Sequence, residues 1–289
     1  MKILILGSTG MLGSTIFRYL AKKSFINVLG TYRNSKKKNL LLNYCKKISN
    51  KNFFILKDLN FKKVNKLIKS TEPDIIINCL GAIKQKKIKN SEIFKTNALF
   101  PKILSKLSKY LGFKLIHIST DCVFSGNKGN YVENDKADAK DIYGKSKFLG
   151  EVIGQNCITI RTSIIGPELN SKDSLLEWFL SKRNSKVYGY KNTFFNGFTT
   201  LELSKIIYKY FVMSSINFNT GCLVHVSSKK ISKYNLLRLI NKTYNCKTII
   251  IPEYKTKIDR TLNNKFFKNK FKYKFLGWSK IIKEMKNFK

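Results

Sequence analysis

Met1-Lys2-Ile3-Leu4-Ile5-Leu6-Gly7-Ser8-Thr9-Gly10-Met11-Leu12-Gly13 opens the chain, and its reading decides the fold. A short apolar run passes directly into a glycine turn, and Ser14-Thr15-Ile16-Phe17-Arg18-Tyr19-Leu20 follows with apolar residues at helical spacing. Glycines at 7, 10 and 13 allow a tight turn, close approach of backbone to a pyrophosphate, and close helix-to-strand packing, with the phosphates at the helix N-terminus. The spacing is G-x-x-G-x-x-G rather than G-x-G-x-x-G. A glycine-rich turn alone is often just a turn, but one that follows an N-terminal strand and opens a helix points to a dinucleotide.

Working outward, apolar strands and amphipathic helices alternate to about residue 165, which predicts a parallel, doubly wound α/β sheet of Rossmann type. His117-Ile118-Ser119-Thr120 reads as a buried strand delivering polar side chains at its carboxyl end, the edge where such sheets bind ligands. Tyr143 and Lys147 are four apart and therefore neighbours on one helix face. A tyrosine of ordinary pKa, near 10, is a poor acid-base group at neutral pH, and an ammonium one turn away stabilises its phenolate. Tyr143 would then give a proton to a carbonyl oxygen while the Thr120 hydroxyl bonds the same oxygen. Alone, Tyr-x-x-x-Lys is a weak signal in so lysine-rich a chain; order and context give it weight.

Several blocks in their order resemble the extended short-chain dehydrogenase/reductases, and within them the dTDP-4-dehydrorhamnose reductase branch. They are Gly7 to Gly13, Ile76-Ile77-Asn78-Cys79-Leu80-Gly81-Ala82, Thr96-Asn97-Ala98, Ser119-Thr120-Asp121-Cys122-Val123-Phe124, Tyr143-Gly144-Lys145-Ser146-Lys147 with Gly150-Glu151, and Arg161-Thr162-Ser163. The likeness is strong to about residue 165 and looser afterwards, where Phe198 to Leu203 and Asp259-Arg260-Thr261-Leu262 still resemble family segments.

The resemblance implies that Thr120, Tyr143 and Lys147 are the catalytic residues. It implies a cofactor site at Gly7, Ser8, Thr9, Gly10, Met11, Leu12, Leu80, Gly81 and Ala82, with Tyr143 and Lys147. Asp58-Leu59 matches the pair that contacts the adenine, and Asn97 either helps hold the lysine through water or starts a helix. Arg33 ends the second strand, Asn27 to Arg33, where an acid would bind a ribose 2′-OH and an arginine accommodates a 2′-phosphate. The expectation is NADPH, with NADH the alternative and a solvated Arg33 the bland reading. The substrate residues expected are Thr120, Asp121, Cys122, Phe124, Tyr143, Ile164 and Arg260, with Arg260 gripping a diphosphate or simply a surface arginine.

Related dehydratases carry glutamate where this chain has Cys122, and a buried neutral thiol is a poor substitute, which favours reduction of an existing keto group. The reductases often have tyrosine at Cys122 and tryptophan near Ile164; those departures leave the sugar and its nucleotide, dTDP or UDP, open. The expected function is NADPH-dependent reduction of a nucleotide-linked 4-keto-6-deoxy sugar feeding surface polysaccharide. The alternatives are a nucleotide-sugar epimerase and a catalytically silent NADP-binding regulatory subunit.

At 289 residues the chain can bury a substantial core. The expected division is a dinucleotide lobe over 1–165 with a return segment at about 198–227, and a smaller mixed α/β substrate lobe over 166–197 and 228–289. Asn219 to Ser227 and Lys247 to Pro252 read as strands, and Ser232 to Tyr244 as an amphipathic helix. His117 and His225 lie in apolar runs and read as satisfied core histidines, and no spacing suggests a metal site. Lys+Arg number 56 against 17 Asp+Glu, a formal net charge of +39, which by composition invites nucleic acid. The lysines are spread along nearly every helix and loop, as in Lys36-Lys37-Lys38, Lys84 to Lys89 and Lys265 to Lys274, so a solvated basic surface is the reading, with no nucleic-acid partner. No apolar segment is long enough to span a bilayer, Met1 to Leu6 is too short for a signal peptide, and six scattered cysteines fit free thiols in a reducing cytoplasm. A homodimer is left open.

Overall fold

A computed structural model describes residues 1–45, 47–83, 88–170, 173–214, 218 and 220–288. In the first half strands and helices alternate: β1 (Lys2–Leu6), α1 (Met11–Leu20), β2 (Asn27–Tyr32), α2 (Ser35–Asn43), β3 (Phe53–Ile55), α3 (Phe61–Thr71) and β4 (Ile75–Asn78). Next, α4 (Asn90–Phe94), a π-helical turn at Lys95–Leu99 and α5 (Phe100–Leu111) form one uninterrupted helical rod, followed by β5 (Lys114–Thr120), α6 (Ile142–Leu149) and β6 (Cys157–Thr162). The second half holds β7 (Ile164–Ile165), α7 (Leu175–Leu180), β8 (Lys186–Tyr190), β9 (Thr193–Phe195), β10 (Phe198–Thr199), α8 (Thr200–Ile206) and β11 (Cys222–His225). It ends with β12 (Ile231–Ser232), α9 (Lys233–Tyr244), β13 (Ile249–Glu253), β14 (Ile258–Asp259), α10 (Lys265–Phe271) and α11 (Trp278–Asn287).

Seven strands form one sheet in the order β11-β6-β5-β4-β1-β2-β3, and every neighbouring pair is parallel. The doubly wound sheet expected from the alternation is therefore present, and the return strand completes it at the β6 edge. Asn219 and Lys84 to Lys87, which fall in expected segments, lie outside the described residues. Strand period two sends Ile3 and Ile5 into one apolar layer, with Ile16 and Phe17 of α1 and Leu203 and Ile206 of α8. Leu4 and Leu6 go into the other, with Val64 and Ile68 of α3 and Leu104 and Leu107 of α5. Burial on both faces is why these strands read as unbroken apolar runs.

A third apolar cluster, including Leu176, Phe179, Val187, Leu236, Ile240 and Ile282, lies away from the sheet. Phe267, Tyr273 and Ile281, late in the chain, pack instead into the first layer of the central core. The helix expected from Ser232 runs from Lys233, with Ser232 as its cap accepting from the Asn235 N–H, and the Lys247 to Pro252 strand runs as β13, parallel to β8. Chain order reverses between β1 and β4, and the carboxyl ends of these strands open on the main cleft, as expected at a switch point. Among the described residues no helix is long and apolar enough to cross a membrane, and all six cysteines are unbridged.

Candidate active site

The cleft has a volume of about 750 Å³. Gly7, Thr9, Gly10, Met11 and Leu12 form its floor. Gly7 sits at φ +80°, which only glycine adopts cheaply, and a Cβ on Gly13 would lie 2.2 Å from the Gly7 carbonyl oxygen. Gly10 caps α1 with no side-chain hydrogen bond, so the helix presents its free N–H groups to the cleft. Ser8, expected among the cofactor residues, is turned inward: fully buried, its hydroxyl donates to the Thr31 carbonyl at 2.9 Å and fastens the turn to β2.

At the end of β2, Tyr32, Arg33, Asn34 and Lys37 line the cleft, and no carboxylate stands among them. Lys37, four residues after Arg33, was hidden in a run read as solvated; its start-of-helix position after β2 was the available signal. Asp58 and Leu59 do not line the cleft. Asp58 is held by Lys63 at 3.1 Å and Lys95 at 3.7 Å, which keep its carboxyl below the usual range, Leu59 packs against the second core layer, and Leu56 faces the cleft instead. After β4, Cys79, Leu80, Gly81 and Ile83 line the wall, whereas Ala82 does not. Asn97 explains this: its side chain accepts from the Ala82 N–H at 2.8 Å and donates to the Ala82 carbonyl at 3.0 Å and to Ser146 Oγ at 3.1 Å. Asn97 lies within the π-helical turn rather than at a helix start, and it clamps the β4 turn to α6 one residue from Lys147.

Thr120 ends β5, and Tyr143 and Lys147 project from α6, which Asp141 caps by accepting from the Gly144 N–H at 2.9 Å. A Cβ on Gly144 would meet the Cys122 carbonyl oxygen at 2.2 Å; that close approach of α6 to the Asp121–Val123 turn brings the three expected residues to one wall. Burial pushes the Tyr143 phenol up, with Cys122 adding to the shift and the neighbouring Thr120 hydroxyl opposing it. Lys147 is pulled down to about 8 by burial, against the charge of Glu151. Its ammonium donates to the Ile118 carbonyl at 2.6 Å, one turn of helix from the Tyr143 phenol.

Beyond Thr120, whose hydroxyl donates to Asp121 at 3.1 Å, burial raises the Asp121 carboxyl. Cys122 lines the cleft and burial pushes its thiol up to about 12, keeping it neutral. Ile164 and Arg260 also line the cleft; the Arg260 Nε–H donates to the Phe124 carbonyl at 2.9 Å. The Phe124 side chain, expected at the substrate, is instead fully buried, stacked on Tyr131 at 4.1 Å and under Arg161, because the strand-end turn directs it inward. Residues not foreseen as site residues also line the cleft: Thr162, Ser163, Glu168, Asp173, Ser174 and Leu175. Ser174 caps α7 with Glu177 three residues on, a legible capping signature. His225 is satisfied at both ring nitrogens, but His117 is not: Nδ1 meets Asn78 at 3.1 Å while Nε2 has no partner. Among the described residues no group of three or more His, Cys, Asp or Glu is disposed to hold a metal.

A family profile described as the RmlD substrate binding domain matches residues 1–275. A dTDP-4-dehydrorhamnose reductase of Shigella flexneri is 28% identical over 170 residues, 56% of this chain and 51% of the relative. Methionine adenosyltransferase 2 subunit beta of Xenopus tropicalis is 28% identical over 153 residues, 52% of this chain and 41% of the relative. The chain thus matches about half the length of these curated relatives or less. The crystal structure of a dTDP-4-dehydrorhamnose reductase from Bacillus anthracis, in complex with NADP, superposes with a TM-score of 0.73 at 19% identity, covering 98% of both chains, a likeness of fold. The profile match across almost the whole sequence, on a seven-stranded parallel sheet, makes this chain a member of the RmlD substrate binding domain family, an extended short-chain dehydrogenase/reductase.

Proposed function

We propose that the chain is an NADPH-dependent reductase of a nucleotide-linked 4-keto-6-deoxy sugar, acting in the cytoplasm in the supply of deoxysugars for surface polysaccharide. The observation that carries this reading is that Thr120, Tyr143 and Lys147 line the same cleft as the Gly7–Leu12 turn. The residues present fit the cofactor. The glycine cradle, which a Cβ would fill, and the uncapped start of α1 suit a pyrophosphate, and Arg33 and Lys37 suit a 2′-phosphate. Leu80 and Gly81 would flank it, and Lys147 would hold the ribose.

When bound, the reduced nicotinamide supplies a hydride to the carbonyl carbon. Burial keeps the Tyr143 proton on its oxygen at neutral pH, ready for transfer to the carbonyl oxygen, and the Thr120 hydroxyl beside it bonds that same oxygen. The Lys147 ammonium offsets the phenolate left behind. Arg260, with its Nε fixed on Phe124, suits the substrate's diphosphate, and the neutral Cys122 argues against dehydration. The lobe division is part of the same proposal, supported by the separate apolar cluster around Phe179 and Leu236, with Phe267, Tyr273 and Ile281 as its exception.

The test is NADPH oxidation with dTDP- and UDP-linked 4-keto-6-deoxy sugars, comparing wild type with Tyr143→Phe. Turnover that falls at least about a hundredfold in the variant supports the reductase and identifies the nucleotide. NADPH binding without turnover of either sugar would instead support a regulatory subunit, the reading favoured by the methionine adenosyltransferase 2 subunit beta likeness.

A further inference from the structure

Two residues of the family-like blocks, Glu151 and Arg161, have no role in the reaction proposed above, yet they form a buried ion pair beside its site. Their side chains are 6% and 3% exposed. Arg161 reaches Glu151 with both ends of its fork, Nε to Oε1 at 2.8 Å and Nη2 to Oε2 at 2.7 Å. Ser119 Oγ donates to the same Oε1 at 2.7 Å. Arg161 Nη1 donates to the Glu133 carbonyl at 3.2 Å and lies 3.2 Å from His225 Nε2. The other ring nitrogen of His225 lies 3.0 Å from the Tyr131 carbonyl, so Nδ1 carries the proton and Nε2 accepts from Arg161.

Sheet register builds this arrangement. Ser119 pairs with Arg161 across β5 and β6, and Arg161 with His225 across β6 and β11, so three polar side chains form one row over three strands. Gly150 lets the chain leave α6 and bring Glu151 onto that row: a Cβ there would meet the Asn97 carbonyl oxygen at 1.8 Å. Consecutive residues of β5 then hold consecutive parts of the site. The Ile118 carbonyl takes the Lys147 ammonium, Ser119 takes Glu151, and Thr120 faces the cleft.

We propose that Glu151 is a positioning residue for Lys147, its carboxylate fixed by Ser119 and Arg161, with His225 behind them, as the buried counter-charge that keeps the Lys147 ammonium protonated where the Ile118 carbonyl holds it. The proposal rests on the reading of Lys147 as a site residue. The groups around Lys147 are Tyr143 on its own helix, Cys79 after β4, His117 on β5, and Glu151, whose carboxylate also carries the Arg161 guanidinium of β6. Cys79 is held neutral, its thiol pushed up to about 12 by burial, and burial keeps His117 neutral as well, so Glu151 is the charge that opposes desolvation of the ammonium.

The experiment is an NMR titration of Lys147 in the isolated full chain labelled with 13Cε-lysine, its resonance assigned from the Lys147→Arg spectrum, for wild type, Glu151→Gln and Glu151→Gln/Arg161→Gln. The double variant removes both charges and leaves no unpaired guanidinium, so it guards against a single variant that does not fold. The expected result is a Lys147 midpoint lowered by at least about one pH unit, a tenfold change in its acid dissociation constant, in Glu151→Gln, and lowered by less in the double variant, where loss of the Arg161 guanidinium offsets part of the loss of the carboxylate. An unmoved midpoint in a folded variant overturns the proposal. This readout needs neither cofactor nor sugar, so it stands apart from failure of the reductase reading. With substrate, the alkaline limb of kcat moves to lower pH in step with that midpoint, whereas a merely structural loss would lower the folded fraction at every pH alike.

Discussion

Acidification from pH 7 to 5 tests the burial of the histidines with unusual clarity, because the chain has two histidines and both are fully buried. Burial, with the Arg161 guanidinium adding, holds His225 down at about 3, and burial holds His117 well below its ordinary range. In the unfolded chain each titrates near 6.5, so between that pH and the folded values the unfolded state binds protons that the folded state refuses. The sign follows: stability is fully present above the unfolded pKa and falls as pH drops. At 1.36 kcal/mol per pH unit, each histidine withdraws about 2 kcal/mol between pH 7 and 5, about 4 kcal/mol together, before most carboxylates titrate. Urea unfolding at pH 7 and 5 at constant ionic strength measures the loss, and His225→Gln, which keeps an acceptor for Arg161, should lose only about half as much. A wild-type loss below about 1 kcal/mol, or a variant as pH-sensitive as wild type, would refute the assignment of these rings as neutral in the fold.

Further outcomes follow from the geometry. Gly150→Ala drives a Cβ to 1.8 Å from the Asn97 carbonyl oxygen, a backbone contact with no flexible side chain to yield, and should cost about 1–3 kcal/mol in urea unfolding; a change below about 0.5 kcal/mol would contradict it. Asn97→Ala strands the Ala82 N–H and carbonyl and should cost about 2 kcal/mol by the same measurement, with weaker NADPH binding as the Ile83 wall loosens. Arg33→Ala and Lys37→Ala should each weaken NADPH roughly ten- to a hundredfold in fluorescence titrations and leave NADH nearly unchanged; equal losses for both would remove the 2′-phosphate assignment.

How much was legible follows from how local each signal is. The turn at Gly7 to Gly13, the strand ending in Thr120, the helix bearing Tyr143 and Lys147, the return strand and the Ser232 cap are written in residues a few places apart, where periodicity, glycine and capping chemistry act. Cys122 at the cleft, neutral through burial, was likewise readable. Facing direction at a turn was not. Ser8 and Phe124 sit in blocks that line the site, yet both turn inward, because Thr31 accepts the one and Tyr131 stacks on the other, partners 23 and 7 residues away in sequence.

By itself, then, the sequence determined the doubly wound sheet, the glycine turn at the cleft and the identities of Thr120, Tyr143 and Lys147 on its wall, since each depends on local spacing. The tertiary structure alone decided where Lys147 sends its ammonium, that Asn97 clamps the Ala82 turn, that Glu168 and Asp173 to Leu175 line the cleft, and that Ser119, Arg161 and His225 form one row beside Glu151. The physical reason is register. Which residues stand side by side, Ser119 with Arg161 42 positions on and Arg161 with His225 64 positions on, is fixed by how whole strands pair and pack, and no local pattern in the chain encodes it.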